Sequence, residues 1–314
     1  AEAARGAWMY GDPEMHELRE ALAAHHGIPS DAIMIGEGID GLLGTLVRLV
    51  AGPGAPVVTS AGAYPTFNYH VAGFGAVLHM VPYRDDREDP QALLDKAREV
   101  GAKLIYLANP DNPMGTWWPA EAISDMISAL PEDTLLCLDE AYSEFAPEGT
   151  EPPLDVTEPR VIRMRTFSKA YGLAGARVGY GIGHPELIAA FNRVRNHFGV
   201  GRVSQAGALA ALADQDWLAQ VKGQVADACA RIATIAETHG LEALPSATNF
   251  VAIDCGRDGA FARAVLGELI DQGVFARMPG VAPLDRCVRI GVGTAEDLDA
   301  FEAAFGLALA RAAG

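Results

Sequence analysis

Cysteine is scarce in this 314-residue chain, and the four that occur, Cys137, Cys229, Cys255 and Cys287, form no close pair and no CxxC. At this length that excludes a disulfide framework and a cysteine zinc site, and it points to free thiols in a reducing, cytoplasmic compartment. The eight histidines show no HxxxH or HExxH spacing. His25 and His26 are adjacent, and neighbours on a helix point apart, so no metal is expected. Basic residues are also short, 24 against 41 acids for a net charge of −17, which argues against a nucleic-acid or anionic-membrane partner. No apolar run approaches the ~20 residues a membrane helix needs; the stretch 42–58 is broken by Arg48, Gly52, Pro53, Gly54 and Pro56. Repeats, low-complexity tracts and Pro/Ser-rich linkers are missing too. With 50% hydrophobic residues, the chain is not disordered and can fill the cores of two ordinary domains.

What is present is an alternation. Short apolar runs rich in β-branched residues occur at 32–35, 56–59, 76–81, 103–108, 134–138, 161–165 and 177–182. Several are apolar without interruption, as suits strands covered on both faces. Helical segments lie between them at 41–50, 90–100, 119–130 and 185–195, with Asp89-Pro90 and Trp118-Pro119 placing proline at a first helical position. The pattern predicts an α/β fold, a mostly parallel sheet flanked by helices, with its ligand at the carboxyl ends of the strands. From about residue 202 the texture changes to an Ala-rich helical stretch at 204–239 with a break near 215–217. Strands near 248–254, 274–277 and 286–292 follow, with helices at 259–272 and 295–309. The expected division is a large α/β unit at 28–201 and a smaller α+β unit made of 1–27 and 202–314.

Lysine is rarer than arginine. Only Lys96, Lys103, Lys169 and Lys222 occur, so 20 of the 24 basic residues are arginine. Lys169 stands in TFSKAYGLAGARVGYGIG, between two strand-like runs with few charges nearby. Alone it could be a surface loop lysine, the usual fate of the residue. Thr166 and Ser168 before it and Arg177 after it are, however, the donors a buried phosphate requires. A lysine beside such a site can form a Schiff base with a phosphorylated aldehyde. In LLCLDEAYSEF, Asp139 and Glu140 close a buried strand; either could cap a helix. A buried carboxylate there could equally pair with a protonated pyridine nitrogen, with Tyr142 reaching the ring oxygen. NPDNPMGTWW, directly after LIYLA, is a strong turn signal that also offers the ligand-facing amide of Asn112. GEGIDGLLG runs from a strand into a helix, so the backbone of Gly38, Ile39 and Asp40 suits a phosphate without matching GxGxxG. Nearby Tyr64 and Phe67 are core aromatics or a stacking platform.

YGDPEMHELREALA, NPDNPMGT, DEAYSEF and FSKAYGLAGARVGY, in this order and at these spacings, resemble the fold type I pyridoxal-phosphate aminotransferases, nearest the histidinol-phosphate branch. The likeness runs over essentially the whole chain. It implies pyridoxal 5′-phosphate as cofactor and Lys169 as the Schiff-base lysine. Asp139 is implied at the pyridine nitrogen, Tyr142 and Asn112 at the ring oxygen, and Phe67 as the stacking aromatic. Thr166, Ser168, Arg177 and the backbone at Gly38, Ile39 and Asp40 form the implied phosphate cup. Tyr10 matches a tyrosine that reaches the neighbouring subunit's phosphate, which implies a homodimer. Arg289 in VRIGVGT matches the arginine for the substrate's acid group, joined by Arg277. The implied reaction moves an amino group from a small donor, with L-histidinol phosphate the first choice, to a 2-oxo acid such as 2-oxoglutarate.

Departures from the family pattern cluster toward the substrate. NPDNPMGT replaces the usual NPNNPTGT, Gly41 stands where an acid is common, and NHFGVGRVSQ and ARMPGVAPLDRC are individual. Three alternatives therefore stay open: transfer from a free, for example aromatic, amino acid; a threonine-phosphate decarboxylase-like activity; and a non-catalytic binding protein on the same scaffold. Intact Lys169, Asp139, Tyr142 and Arg177 argue against the last, and release of carbon dioxide would distinguish the second. Relatives of this kind carry a few tens of residues before the YGDPE element, including an arm over the substrate, so a segment preceding Ala1 is expected.

Overall fold

The computed structural model describes residues 2–314. Its larger sheet has seven strands: β1 (Ile33–Gly36), β2 (Pro56–Ser60), β3 (Val77–Val81), β4 (Leu104–Ala108), β5 (Leu135–Asp139), β6 (Val161–Thr166) and β7 (Gly179–Gly183). They lie in the order β1-β7-β6-β5-β4-β2-β3. β7 alone is reversed, running antiparallel to both β1 and β6. All seven fall within two residues of the runs read from sequence. The central strands lack polar alternation because each side is roofed by helices. Leu104, Tyr106, Ala108 and Cys137 enter the core shared with the helix Gly38–Val50. Ile105, Leu107, Leu136 and Leu138 enter the core beneath helices Pro90–Val100 and Ala120–Ser128. The helices Glu2–Arg5, His16–His26 and Pro65–Gly73 were not anticipated; the last buries Phe67 and Val71 one turn apart.

The smaller sheet is antiparallel, β8 (Glu242–Ala243), β9 (Phe250–Asp254) and β10 (Cys287–Gly291), in the order β10-β9-β8. The expected strand at 274–277 does not form. Arg277 alone bridges Arg289, with N–H to O distances of 3.1 and 2.7 Å, because Pro279 and Gly280 end the run at once. The Ala-rich stretch is two helices, Arg202–Ala213 and Gln215–Thr238. Between them Asp214 accepts the N–H of Trp217 at 3.1 Å and caps the second.

Packing moves the expected boundaries at 27 and 202. Leu18 and Leu22 of helix His16–His26, with Ala208 and Leu212 of helix Arg202–Ala213, share a core with Ile33, Ile35, Tyr180 and Ile182 of β1 and β7. Both helices thus belong to the larger body. The smaller unit's core runs from Ala228 to Ala308. The change of texture at 202 marked a new helix but carried no information about which sheet that helix covers.

Beside the ligand edge lies a buried ion cluster. Glu140, 1% exposed, accepts from Arg163 Nε at 3.0 Å and Arg165 Nε at 2.9 Å, and Arg163 Nη1 also reaches the Pro152 carbonyl at 2.8 Å. Removing one partner of a buried pair costs about 3–5 kcal/mol because a charge is stranded. Glu140→Ala should therefore lower the unfolding free energy from urea titration by that amount, seen as a lower midpoint at unchanged m-value. A loss under about 1 kcal/mol, the scale of an exposed pair, would show that the cluster does not hold the β5 and β6 ends together.

Candidate active site

Because β7 is reversed, its first residue, Gly179, lies opposite Thr166 at the end of β6. One sheet edge therefore gathers the carboxyl ends of β1, β4, β5 and β6 and the start of β7. At that edge is a cavity of about 150 Å³ lined by Ile39, Asp40, Tyr64, Tyr106, Asn112, Asp139, Tyr142, Thr166, Ser168, Lys169 and Arg177, among others.

One end of the cavity is built of hydrogen-bond donors. The helix Gly38–Val50 begins there, and a helix start leaves backbone N–H groups unpaired and carries partial positive charge. Gly38 has φ +73, and a Cβ on it would lie 2.6 Å from Arg177 Nη2. At Gly179 a Cβ would come within 2.7 Å of Gly38 C and Ile39 N. Only glycine at both positions lets the helix start, β7 and the guanidinium converge. Thr166 Oγ1 accepts the Ser168 N–H at 3.0 Å and lies 2.9 Å from Ser168 Oγ, while Arg177 Nη1 donates to the Ala174 carbonyl at 3.0 Å. The nearby Asp40 carboxylate is engaged elsewhere, 3.0 Å from His70 Nε2.

The other end holds Asp139, 5% exposed, on the last residue of β5. Its Oδ2 accepts from the Tyr106 hydroxyl at 2.7 Å and its Oδ1 from the Ala141 N–H at 3.0 Å. Burial pulls its carboxyl up to about 6, and Tyr106, the Ala141 N–H and Lys169 hold it from rising further. Lys169 lines the same cavity, its Nζ 5.1 Å from the centre of the Tyr142 ring. Burial lowers the lysine's pKa; the positive charges of Arg289, Arg277 and Arg177 add to this, and Asp139 opposes it. More of its amine is thereby free to act as nucleophile or base.

A second cavity of about 680 Å³ opens from the first, sharing Tyr64, Asn112, Tyr142 and Lys169 and adding Arg277, Arg289, Phe250 and Phe275. Arg289 Nη1 donates to Asn112 Oδ1, and the guanidinium lies 4.6 Å from the Phe250 ring centre.

Phe67 lies outside the cavity, and Tyr10, expected at a neighbouring subunit's site, stands apart from that of its own chain. Phe67 has no exposed surface; its ring stacks on Tyr106 at 4.5 Å between centres, behind the cavity. Phe67 lines neither cavity, whereas Tyr64 lines both. Tyr10 lines neither cavity of its own chain. It is 81% exposed, with its ring 4.8 Å from that of Phe198. Two residues went unnoticed in the sequence. Tyr106 is a polar-tipped aromatic in an otherwise aliphatic strand, which was the available signal. Asp111 replaces the family's asparagine and is 2% exposed rather than solvated in its turn. It accepts from the Tyr83 hydroxyl at 2.8 Å and the Met114 N–H at 3.0 Å, and burial pulls its carboxyl up to about 7. That acid pins the loop carrying Asn112.

A cluster of donors, a buried carboxylate and an amine lining one cavity fit a phosphorylated pyridine aldehyde. Among the described residues no group of three or more His, Cys, Asp or Glu could hold a metal ion, and no helix is long and apolar enough to cross a membrane.

Comparison with known proteins agrees with this geometry. The profile of aminotransferase class I and II matches residues 1–305. Histidinol-phosphate aminotransferase 1 of Mesorhizobium japonicum is 37% identical over 94% of this chain and 81% of its own length. Histidinol-phosphate aminotransferase 2 of Ralstonia nicotianae is 37% identical over 96% and 82%. The crystal structure of histidinol-phosphate aminotransferase from Sinorhizobium meliloti, in complex with pyridoxal-5′-phosphate, superposes with a TM-score of 0.97 at 56% identity, covering 99% of this chain and 85% of that one. An L-threonine-O-3-phosphate decarboxylase from Porphyromonas gingivalis, 19% identical with a TM-score of 0.82 over 98% of this chain and 93% of its own, shares the fold. With a lysine, an aspartate and a donor cup at one sheet edge, and a match spanning nearly its whole length, the chain belongs to the class I and II aminotransferase family.

Proposed function

We propose that the chain binds pyridoxal 5′-phosphate and moves the amino group of L-histidinol phosphate to a 2-oxo acid such as 2-oxoglutarate. The observation that carries the choice of donor is the pair of arginines, Arg277 and Arg289, joined backbone to backbone beside the cavity that opens onto Lys169. Two guanidiniums suit a phosphate dianion, where a single carboxylate needs one. The names of the Mesorhizobium and Sinorhizobium relatives support the same donor.

In this reading the cofactor, when bound, supplies the aldehyde that takes the amino group and a ring that draws electrons from the amine-bearing carbon. Backbone N–H groups at Gly38, Ile39 and Asp40, the hydroxyls of Thr166 and Ser168, and Arg177 hold its phosphate. Asp139 keeps a proton on its ring nitrogen, Tyr142 and Asn112 hold its ring oxygen, and Tyr64 covers its face in place of Phe67. Lys169 Nζ takes the proton from the substrate's amine-bearing carbon. Asn112, tied to Arg289, relays the seating of the substrate's acid group to the cofactor side. Tyr10, exposed with Trp8 and Phe198, belongs to the surface through which a second copy would complete a homodimer.

Protein loaded with the cofactor and mixed with L-histidinol phosphate alone should lose its yellow absorption and yield about one keto product per site. A stable yellow colour with this donor, and bleaching by a free aromatic amino acid, would replace the substrate; release of carbon dioxide would replace the reaction.

A further inference from the structure

We infer that Tyr106 is a positioning residue for Asp139: its hydroxyl, held in place by Phe67, keeps that carboxylate ionised and turned toward the cofactor's ring nitrogen. The inference rests on the cofactor reading above.

The geometry follows from strand register. β4 and β5 run parallel, with Tyr106 opposite Cys137 and Ala108 opposite Asp139. Positions 106 and 139 thus lie on one face of the sheet, diagonally across two strands, and the tyrosine's length carries its hydroxyl to Asp139 Oδ2 at 2.7 Å. The ring cannot swing away. Tyr106 has no exposed surface, and Phe67 lies nearly parallel to it, at 17° with centres 4.5 Å apart. A phenol buried among aliphatic side chains is costly unless bonded, and the bond it makes is to Asp139.

Each oxygen of Asp139 then takes one hydrogen bond from the protein, from Tyr106 and from the Ala141 N–H. A carboxylate can accept about four, so capacity remains on the cavity side. The charged and titratable groups around Asp139 are Lys169, Glu140, Cys137, Glu88 and Tyr142. Lys169 favours its ionised form. Glu140 opposes it, although Arg163 and Arg165 compensate that charge. Burial keeps the Cys137 thiol, the Tyr142 phenol and the Glu88 carboxyl shifted toward their neutral forms. Without the Tyr106 hydroxyl, only the Ala141 N–H and Lys169 counter the burial of this acid.

The test is the ratio of cofactor dissociation constants, Tyr106→Phe over wild type, measured by equilibrium dialysis with pyridoxal phosphate from pH 6 to pH 9. Taking the ratio cancels the titration of Lys169 and of the cofactor itself. A hydrogen bond to a charged group corresponds to about one to two pKa units, so the ratio should be about tenfold at pH 6 and fall within about twofold by pH 9. KM for the amino donor should stay within about twofold while kcat falls, since the hydroxyl touches no substrate. Phe67→Leu, which keeps the hydroxyl but frees the ring, should show the same pH trend at smaller size. A ratio that is the same at every pH, whether near one or uniformly raised, would reduce Tyr106 to packing and overturn the inference. Wild-type protein that binds no pyridoxal phosphate would instead overturn the cofactor reading, and this inference with it.

Discussion

Lys169→Ala should cut turnover by more than about a thousandfold, the combined scale of losing a nucleophilic amine and a general base. Among the described residues Lys169 is the sole lysine lining either cavity. Lys96 is paired with Glu99 at 2.6 Å, and Lys103 lies 3.9 Å from Asp133, away from the site. Arg177, Arg277 and Arg289 cannot substitute, because a guanidinium does not give up its proton at working pH. The donor cup does not depend on the lysine, so the variant should still retain pyridoxal phosphate on dialysis while lacking the yellow form. A small primary amine such as methylamine, added to the variant, should restore part of the rate by entering the space the side chain leaves. Residual turnover within tenfold of wild type would remove Lys169 from the chemistry.

The second large effect is expected at Asp139. Asp139→Asn keeps the shape and an acceptor for the Tyr106 hydroxyl but removes the charge that would face the ring nitrogen. Losing one partner of a buried charge pair costs about 3–5 kcal/mol, or about two to nearly four orders of magnitude in turnover. The cofactor-free protein should respond in the opposite direction. Burial raises this carboxyl from its ordinary 3.8 to about 6, so the folded chain binds the proton more tightly than the unfolded one. The acid's favourable contribution is therefore full below pH 3.8 and lost as pH rises through 6. Above that pH the wild-type carboxylate is charged at a cost that asparagine does not bear. Cofactor-free Asp139→Asn should thus melt at or above the wild-type temperature at pH 8, with less advantage at pH 5, while the loaded variant is nearly inactive. A variant destabilised equally at both pH values would mean that Asp139 serves packing.

What sequence and structure each contributed can be followed residue by residue. The strands of the large sheet were legible because burial on both faces forces uninterrupted apolar runs, and the turn chemistry after each run marked the ligand edge. Lys169, Asp139, Asn112, Arg177 and the Gly38 turn were legible for a related reason: each lies within a few residues of a strand end, where local sequence and location in the fold coincide. The segments 16–26 and 202–213 pack on β1 and β7 and not with the smaller sheet, a pairing the sequence does not record, since an amphipathic helix shows that one face is covered and not by what. Phe67 was expected at the cavity that Tyr64 lines instead, because the helix that begins at Pro65, which sets the direction of each ring, was not recognised.

The sequence by itself determined the order of strands and helices along the chain, the edge where chemistry would gather and the class of that chemistry, because periodicity, turn residues and motif spacing are local properties. Tertiary structure alone decided the reversal of β7 that sets Arg177 beside Gly38, the contact that brings Arg289 from the second sheet onto Asn112, and the bond from Tyr106 to Asp139. Those pairings join residues distant in the chain through strand register and the packing of whole layers, and no local pattern of side chains records either.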